Sequence, residues 1–231
     1  MIKMVVFDMA GTTVNENNVV YKTVQRAINE AGYPVTLDQV LAQGAGKEKL
    51  QAIKDVLKTY AGSEDAALAD SIYQKFVPML RKAYDEITIT PMPGAEELFR
   101  ALQDKGIRAV LNTGYNGETA RKPLQKLGWT EGETIDALIT ASDVPNNRPK
   151  PDMILLAMEK FGIEDGAEVI KVGDSVIDIE EGDNAGCYMS VGITTGAHTA
   201  EQLKEANPGL IIDGLPELLP VVEKANRVMA D

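Results

Sequence analysis

A single aspartate after the first apolar segment has the residue type and setting needed for phosphoryl chemistry. Asp8 follows the run that ends at Phe7 and precedes Met9-Ala10-Gly11-Thr12-Thr13. A carboxylate at the carboxyl end of a buried strand, before a tight glycine turn, is placed to attack phosphorus. An acid two residues later would protonate a leaving oxygen, but that position is Ala10. The sequence therefore indicates a leaving group other than that of an ordinary phosphate ester.

Three later places offer groups that complement such a nucleophile. Asn112-Thr113-Gly114-Tyr115 ends an apolar run at a hydroxyl and a glycine, where backbone N–H groups can meet an anion. Arg148-Pro149-Lys150-Pro151-Asp152 is a cationic loop that can present a guanidinium to a phosphoryl group. Val172-Gly173-Asp174-Ser175 is followed one helical turn later by Asp178. Each has an ordinary capping or turn explanation, but together, in chain order, they favour an active site.

The composition limits the classes of protein and metal site. The 231 residues are 44% hydrophobic and 25% charged, which predicts a globular protein with a full core. The net charge of -12 disfavours nucleic acid or an anionic membrane as a partner. The single histidine, His198, cannot form a zinc cluster, so any metal site must use oxygen and favours magnesium (Mg²⁺). We expect His198 to be an exposed loop or capping residue.

The cysteine content and the apolar pattern predict a cytoplasmic location. Cys187 is the only cysteine, which excludes an internal disulfide and fits a reducing compartment. No apolar run is long enough to span a bilayer, and residues 1–7 do not resemble a secretory signal. We expect Cys187 to be a buried thiol rather than a nucleophile.

Short apolar runs alternate with amphipathic stretches, which predicts an α/β fold with a parallel sheet covered on both faces. Ligands bind at the carboxyl ends of the strands in such sheets, so the chemistry should lie there. The predicted strands are Lys3–Phe7, Arg108–Asn112, Asp136–Ile139, Val169–Val172, Tyr188–Ile193 and Leu210–Ile212.

A helical block interrupts this alternation between about residues 15 and 89. Its predicted helices are Val19–Ala31, Leu37–Ala42, Lys47–Tyr60 and Glu64–Glu86, and Pro78 should kink the last of them. A block inserted directly after the first strand is expected to form a lid over the strand ends. Its two crossings, at 15–18 and 88–93, would be the hinges.

These features resemble the haloacid dehalogenase (HAD) superfamily. Asp8, Thr113, Arg148, Asp174 and Asp178 resemble its four motifs, and the helical block resembles its α-helical cap. The resemblance implies a Rossmann-like parallel sheet, the HAD-like core, formed by residues 1–14 and 90–231, with an inserted cap at 15–89. It also implies that Asp8 forms an aspartyl-phosphate, that Thr113 binds phosphoryl oxygens and that Arg148 balances charge.

The same resemblance implies a magnesium site and a phosphate-binding surface. Asp8, the Ala10 carbonyl and Asp174 would hold Mg²⁺, with Asp178 as a further ligand or nearby acid. The residues expected to bind substrate or phosphate are Ala10, Gly11, Thr12, Thr113, Gly114, Tyr115 and Arg148.

Within the superfamily, three segments are similar to the phosphonatase branch, the phosphonoacetaldehyde hydrolases. They are the stretch Asp8 to Thr13, Thr113-Gly114-Tyr115 and Arg148-Pro149. The resemblance implies that a cap lysine forms a Schiff base with the substrate aldehyde, so that the carbon leaves as an enamine. The imine is then the electron sink, and no acid is required at Ala10.

Lys47, in Gly44-Ala45-Gly46-Lys47-Glu48-Lys49, is our candidate for that lysine. Alternatively, Lys47 only binds substrate as a cation, or it is an ordinary surface lysine. Side chains expected to line the cleft are those of Tyr21, Lys22, Gln43, Lys47 and Tyr115.

Three functions remain open at this point. The first is a phosphonatase-like enzyme acting on a small phosphonate or related phosphorylated metabolite. The second is a phosphate monoesterase in which water or Lys47 replaces the missing acid. The third is a non-catalytic phosphate-binding module whose acidic surface serves a protein partner. The oligomeric state, including a homodimer, is also left open.

Overall fold

The structure is a computed structural model that describes residues 1–230, and its centre is a six-stranded parallel sheet. The strand order is β5-β4-β1-β6-β7-β8, and every neighbouring pair is parallel. The strands are β1 (Met4–Phe7), β4 (Arg108–Thr113), β5 (Ala137–Thr140), β6 (Val169–Gly173), β7 (Met189–Ile193) and β8 (Leu210–Ile212). The α/β prediction is confirmed, and each predicted strand end lies within about one residue of the observed one.

The sheet is buried on both faces, as the apolar runs predicted. Along β1, Val5 and Phe7 belong to one apolar cluster, whereas Met4 and Val6 belong to a second. Alternate side chains of a strand point to opposite faces, so one short strand contributes to both cores. The flanking helices are α5 (Ala95–Asp104), α6 (Gly117–Leu127), α7 (Asp152–Phe161), α8 (Val176–Asn184), α9 (Ala200–Lys204) and α10 (Leu218–Val228).

Four helices lie between the short strands β2 (Val14–Asn15) and β3 (Thr90–Pro91), and we call residues 19–86 the helical insert. The strands β2 and β3 pair antiparallel, so the two chain crossings lie side by side. Within the insert, α1 packs against α4, and α2 packs against α3. Its helices are α1 (Val19–Glu30), α2 (Leu37–Gly44), α3 (Lys49–Val56) and α4 (Ala66–Glu86). The division into a core and a cap at residues 15 and 89 stays a prediction.

Two details of the insert differ from the sequence prediction. The helix predicted from Lys47 begins at Lys49, because Gly46 adopts a left-handed φ of 73° and the Glu48 side chain caps the new helix. That helix ends in a π-helical turn at Leu57–Ala61. The last helix, α4, is continuous and includes Pro78, and the kink at this proline stays a prediction. Among residues 1–230, no helix has the length and apolar character that crossing a bilayer requires.

Candidate active site

The central strand β1 delivers Asp8 to the carboxyl edge of the sheet, between β4 and β6. Asp8 is buried, and its Oδ1 accepts a hydrogen bond from Arg148 Nη1 at 2.7 Å. The turn after Asp8 is closed by Thr13, whose hydroxyl donates to the Asp8 carbonyl at 2.9 Å, and Gly11 in that turn has a φ of 85°. Burial raises the pKa of Asp8, and the Asp178 charge adds to this effect, while Arg148 opposes it.

Three buried aspartates converge at this edge. Carboxylate oxygens of Asp8, Asp174 and Asp178 all lie within 4.8 Å of one another. Burial, together with the charges of Asp8 and Asp178, raises the pKa of Asp174 well above its usual value. Three crowded carboxylates with only oxygen ligands fit a hard divalent cation such as Mg²⁺, whose charge would offset their mutual repulsion. Thr12 donates its hydroxyl to Asp174 Oδ1 at 3.4 Å, so the turn containing Ala10 and Gly11 borders this cluster.

Arg148 is held by acids on both sides. Besides Asp8, its Nη1 contacts Asp178 Oδ1 at 2.9 Å, and its Nε donates to Glu181 Oε2 at 2.8 Å. Burial disfavours a charged Asp178, yet Arg148 and Lys171 lower the pKa of this carboxyl below its usual value. The guanidinium therefore stays charged and has a fixed orientation towards Asp8.

Three buried polar residues support this arrangement. The sequence analysis missed two of them, Lys171 and Glu181, and named Asn112 only as part of the motif at 112–115. Lys171 Nζ lies 2.9 Å from Asp178 Oδ1 and donates to Asn112 Oδ1 at 2.7 Å. Asn112 Nδ2 donates to Glu181 Oε1 at 2.9 Å, and all of these side chains are buried. The spacing of Asp178 and Glu181, three residues apart in one helix, was a usable signal, because such residues share a face.

The loop after β4 brings three predicted residues next to the helical insert. Thr113 is buried, and its hydroxyl accepts a hydrogen bond from the Tyr115 N–H at 3.2 Å. A Cβ atom at Gly114 would lie 2.6 Å from the Gly46 carbonyl oxygen, so only glycine fits this close approach. The Gly46 carbonyl in turn accepts from Arg148 Nη1 at 3.4 Å. The backbone of the insert therefore rests directly on the charged cluster.

Lys47, the predicted cap lysine, is not brought into this cluster. Its Nζ pairs with Asp55 at 2.5 Å, and about a quarter of its side chain is exposed. Lys47 precedes the helix cap, whereas Lys49 begins α3 and shares the buried face of that helix with Ala52 and Ile53. The structure therefore places the Lys49 amine, rather than the Lys47 amine, inside the protein.

The Lys49 amine lies beside the rings of Tyr21 and Tyr115, and we call this surrounding the Lys49 box. Its Nζ lies 5.1 Å from the Tyr21 ring centroid and 5.0 Å from that of Tyr115, and it donates to the Lys47 carbonyl. The residue is only 4% exposed, and burial lowers its pKa to about 8, against the opposing charges of Glu48 and Asp8. A lysine on the apolar face of α3, at the spacing of the buried Ala52, was the sequence signal for this position.

Comparison with known proteins identifies the family. The family model for haloacid dehalogenase-like hydrolases matches residues 2–186. The chain belongs to this family. It is 31% identical over 208 residues to phosphonoacetaldehyde hydrolase of Hahella chejuensis, covering 85% of this chain and 69% of that protein. It is 28% identical over 219 residues to phosphonoacetaldehyde hydrolase of Bordetella avium, covering 90% and 77%.

A solved structure shares the fold. A phosphonoacetaldehyde hydrolase-like protein from Oleispira antarctica has a TM-score of 0.82 at 24% identity, covering 98% of this chain and 93% of that one. The predicted resemblance to the haloacid dehalogenase superfamily and its phosphonatase branch is confirmed. Membership of this hydrolase family makes the chain an enzyme and does not support the alternative of a non-catalytic binding module.

The other residues predicted for the site of this haloacid dehalogenase-like hydrolase are only partly brought together by the structure. The Tyr21 hydroxyl accepts from the Gly46 N–H at 2.9 Å, so Tyr21 borders the site, whereas Lys22 Nζ donates to Asn17 Oδ1 at 3.0 Å on the surface. Gln43 is partly buried near the end of α2. His198 was predicted to be an exposed loop or capping residue, and the second alternative is confirmed. The residue is 9% exposed, and its Nδ1 accepts from the Val176 N–H at the start of α8.

Cys187 is partly rather than fully buried, just before β7. Burial raises the pKa of its thiol to about 12, which agrees with the prediction that it is not a nucleophile.

Proposed function

We propose that this chain is a hydrolase of the phosphonatase type, acting on a small phosphonate with an aldehyde group next to the phosphorus-bearing carbon. The observation that carries this proposal is the position of the Lys49 amine, which is buried and lies beside the rings of Tyr21 and Tyr115. Burial lowers the pKa of this amine to about 8. A buried amine of this kind is nucleophilic near neutral pH, as imine formation requires. The curated relatives named phosphonoacetaldehyde hydrolase point to phosphonoacetaldehyde as the substrate to test first.

In the proposed reaction, the Lys49 nitrogen adds to the aldehyde carbon, and loss of water with uptake of one proton gives a protonated imine. An Asp8 oxygen then attacks phosphorus, and the electrons of the breaking carbon–phosphorus bond move to the imine nitrogen. The products of this step are an aspartyl-phosphate and an enamine on Lys49. Water then hydrolyses both, after protonation of the enamine carbon, and releases phosphate, acetaldehyde and the free amine. No leaving oxygen is protonated, so Ala10 suffices where a phosphatase would need an acid.

The other residues of the site would bind and orient the phosphoryl group. Arg148 reaches Asp8 at 2.7 Å and can contact a phosphoryl oxygen from the same position. Thr113 and the backbone N–H of Gly114 would bind further oxygens. Asp8, the Ala10 carbonyl and Asp174 would hold Mg²⁺, with Asp178 beside them, and the bound cation would neutralise charge on the phosphoryl group.

A second candidate is hydrolysis of a phosphate monoester, with Lys49 as the proton donor. The observation that favours it is the same pKa of about 8, because the amine is then largely protonated at neutral pH and can give up its proton readily. This reaction needs no imine.

Reductive trapping separates the two candidates. Incubation with phosphonoacetaldehyde and borohydride should leave a stable adduct on the peptide that contains Lys49. The variant Lys49→Arg should lose the adduct and at least about 10³-fold in phosphate release, because arginine cannot form the imine. The matched control Lys47→Arg, two residues away and paired with Asp55, should keep both within about threefold.

Three outcomes contradict the phosphonatase proposal. They are phosphate release without any adduct, an adduct on Lys47 in place of Lys49, and full activity of Lys49→Arg. Release of phosphate from monoesters by a protein that forms no adduct would select the second candidate.

A further inference from the structure

Glu16 is a buried carboxylate that the proposed reaction does not use. It follows β2, on the first crossing between the sheet and the helical insert, and is 2% exposed. Its Oε1 accepts from the Tyr115 hydroxyl at 2.8 Å, and its Oε2 accepts from the Tyr84 hydroxyl. Burial raises the pKa of Glu16, while both tyrosine hydrogen bonds favour the charged form. A fully buried acid with two dedicated donors needs an explanation, because burial of a carboxylate is costly.

The two donors come from different parts of the molecule. Tyr84 lies near the end of α4 in the helical insert, and Tyr115 lies in the loop after β4 at the sheet edge. Both tyrosines are almost fully buried. Glu16 therefore joins the crossing, the insert and the sheet through one carboxylate.

Tyr115 connects this carboxylate to the amine. Its ring lies 5.0 Å from Lys49 Nζ, and its hydroxyl is held by Glu16. Its carbonyl accepts from the Ala141 N–H at 3.0 Å, which fixes the backbone end of the residue. Because its hydroxyl and its backbone carbonyl are both hydrogen-bonded, the Tyr115 side chain has a fixed orientation. In that orientation its ring contacts the Lys49 amine and forms one side of the Lys49 box.

We propose that Glu16 is a positioning residue, which holds the Lys49 amine in reactive orientation by anchoring Tyr115 from the sheet and Tyr84 from the insert. The proposal rests on the assignment of Lys49 as the reacting amine in the proposed function. It adds a residue that touches neither phosphorus nor the aldehyde carbon and acts through Tyr115.

Glu16 also contributes negative charge near the amine. The charged groups that act on Lys49 are Glu48 on its own helix, Asp8 and Arg148 from the sheet edge, and Glu16 from the crossing. Glu48, Asp8 and Glu16 favour the ammonium form, whereas Arg148 opposes it. Removal of the Glu16 charge should therefore lower the pKa of Lys49 further, while loss of the anchor should slow imine formation.

The test uses the full chain and reads these two effects separately. The first readout is the pH titration of the Lys49 Cε resonance in protein labelled with ¹³C-lysine, assigned with Lys49→Arg. The second is the rate of borohydride trapping with phosphonoacetaldehyde at pH 9, where most of the amine is neutral. Glu16→Gln should lower the Lys49 midpoint by about half a unit or more and slow trapping at least about tenfold.

Two further variants separate charge from geometry. Glu16→Asp keeps the charge but shortens the anchor, so the midpoint should return towards that of the wild type while trapping stays slow. Tyr84→Phe removes one donor and should slow trapping at least about threefold. Its matched control is Tyr73→Phe on the same helix, because the Tyr73 ring lies 5.9 Å from that of Phe76, away from Glu16, and the substitution should change neither readout.

An unchanged midpoint together with an unchanged trapping rate in Glu16→Gln would overturn the proposal. If Glu16→Gln does not fold, as judged by circular dichroism, Tyr84→Phe decides the anchoring role, and a trapping rate equal to that of Tyr73→Phe overturns it. If wild-type protein traps no aldehyde, the proposed function fails. The Lys49 midpoint then still decides whether Glu16 acts on the amine.

Discussion

The two sides of the site have opposite electrostatic characters. On the sheet side, several charges lie within hydrogen-bond distance of one another, and three of the four carboxylates, those of Asp8, Asp178 and Glu181, contact a guanidinium or ammonium group. On the insert side, a single amine faces two aromatic rings, and the Glu16 carboxylate accepts hydrogen bonds from two tyrosine hydroxyls. The first group comprises Asp8, Arg148, Lys171, Asp174, Asp178 and Glu181. The second comprises Tyr21, Lys49 and Tyr84 of the insert, together with Glu16 from the crossing and Tyr115 from the loop after β4.

This difference matches the two tasks of the proposed reaction. A phosphoryl group carries negative charge throughout, so a dense set of fixed charges can bind and orient it. An amine that attacks an aldehyde must spend part of its time neutral, so it benefits from burial, which disfavours the ammonium form. The two sides should therefore respond differently to mutation, metal removal and pH.

The largest expected effect is on phosphate release, and it should leave the reaction of the Lys49 amine intact. Asp8→Asn should lower phosphate release by about 10⁴-fold or more, because the amide is not a nucleophile towards phosphorus. The same variant should still form the borohydride-trapped adduct on Lys49, since the aldehyde end of the substrate does not react with Asp8. Loss of the adduct as well would show that the two sides do not act independently.

Removal of divalent metal should have the next largest effect. Chelation should lower phosphate release by about 10³-fold, because several kcal/mol of charge stabilisation are lost, and added Mg²⁺ should restore it. In wild-type protein, Mg²⁺ should also raise the Tm, and this increase should be absent in Asp174→Asn. Trapping at Lys49 should persist without metal, so its loss on chelation would contradict the separation of the two sides.

Lys171→Met tests how far the sheet side depends on paired charges. The substitution keeps most of the unbranched side chain but leaves Asp178 and Glu181 with one fewer buried cation. The free energy of unfolding in urea should fall by about 3 kcal/mol or more. The control Lys160→Met removes an exposed lysine 3.9 Å from Glu131 and should cost less than about 1 kcal/mol. Equal costs would show that the buried network contributes nothing beyond a surface pair.

The pH dependence of trapping gives the smallest expected effect and concerns the insert side alone. Below the Lys49 pKa of about 8, the neutral fraction of the amine falls about tenfold per pH unit, and the trapping rate should fall with it. Above pH 8 the rate should level off. An ordinary lysine would continue to gain rate up to about pH 10.4, so a rise that continues beyond pH 9 would contradict the depressed pKa.

The sequence was sufficient to predict the sheet and its reactive edge. Apolar runs of strand length can form few other structures, and parallel strands bring their carboxyl ends to one edge, so Asp8 and Asp174 had to lie near each other. The start of α3 was harder to predict. Gly44-Ala45-Gly46-Lys47 and Gly46-Lys47-Glu48-Lys49 both contain a glycine three residues before a lysine. The left-handed conformation of Gly46 and the cap formed by Glu48 determine the residue at which α3 begins. The start at Lys49 places this lysine on the buried face of the helix.

The polar networks were the least predictable part. Glu16 and Tyr84 are separated by 68 residues, and Arg148 and Asp8 by 140, so their pairing depends on the finished packing rather than on local spacing. Sequence reasoning located Arg148 because a loop with two prolines stands out. It gave no comparable reason to notice Glu16, which lies in a run of asparagines.

The contact between Gly46 and Gly114 has a consequence for what this enzyme can enclose. At that point the helical insert and the loop after β4 meet through main-chain atoms, and a Cβ atom on Gly114 would lie 2.6 Å from the Gly46 carbonyl oxygen. Rotamer changes cannot widen this contact, because neither glycine has a side chain. A ligand that needed more room there would have to move the two backbones apart, and the guanidinium of Arg148 would then lose its contact with the Gly46 carbonyl. Opening the site at this point therefore requires backbone movement.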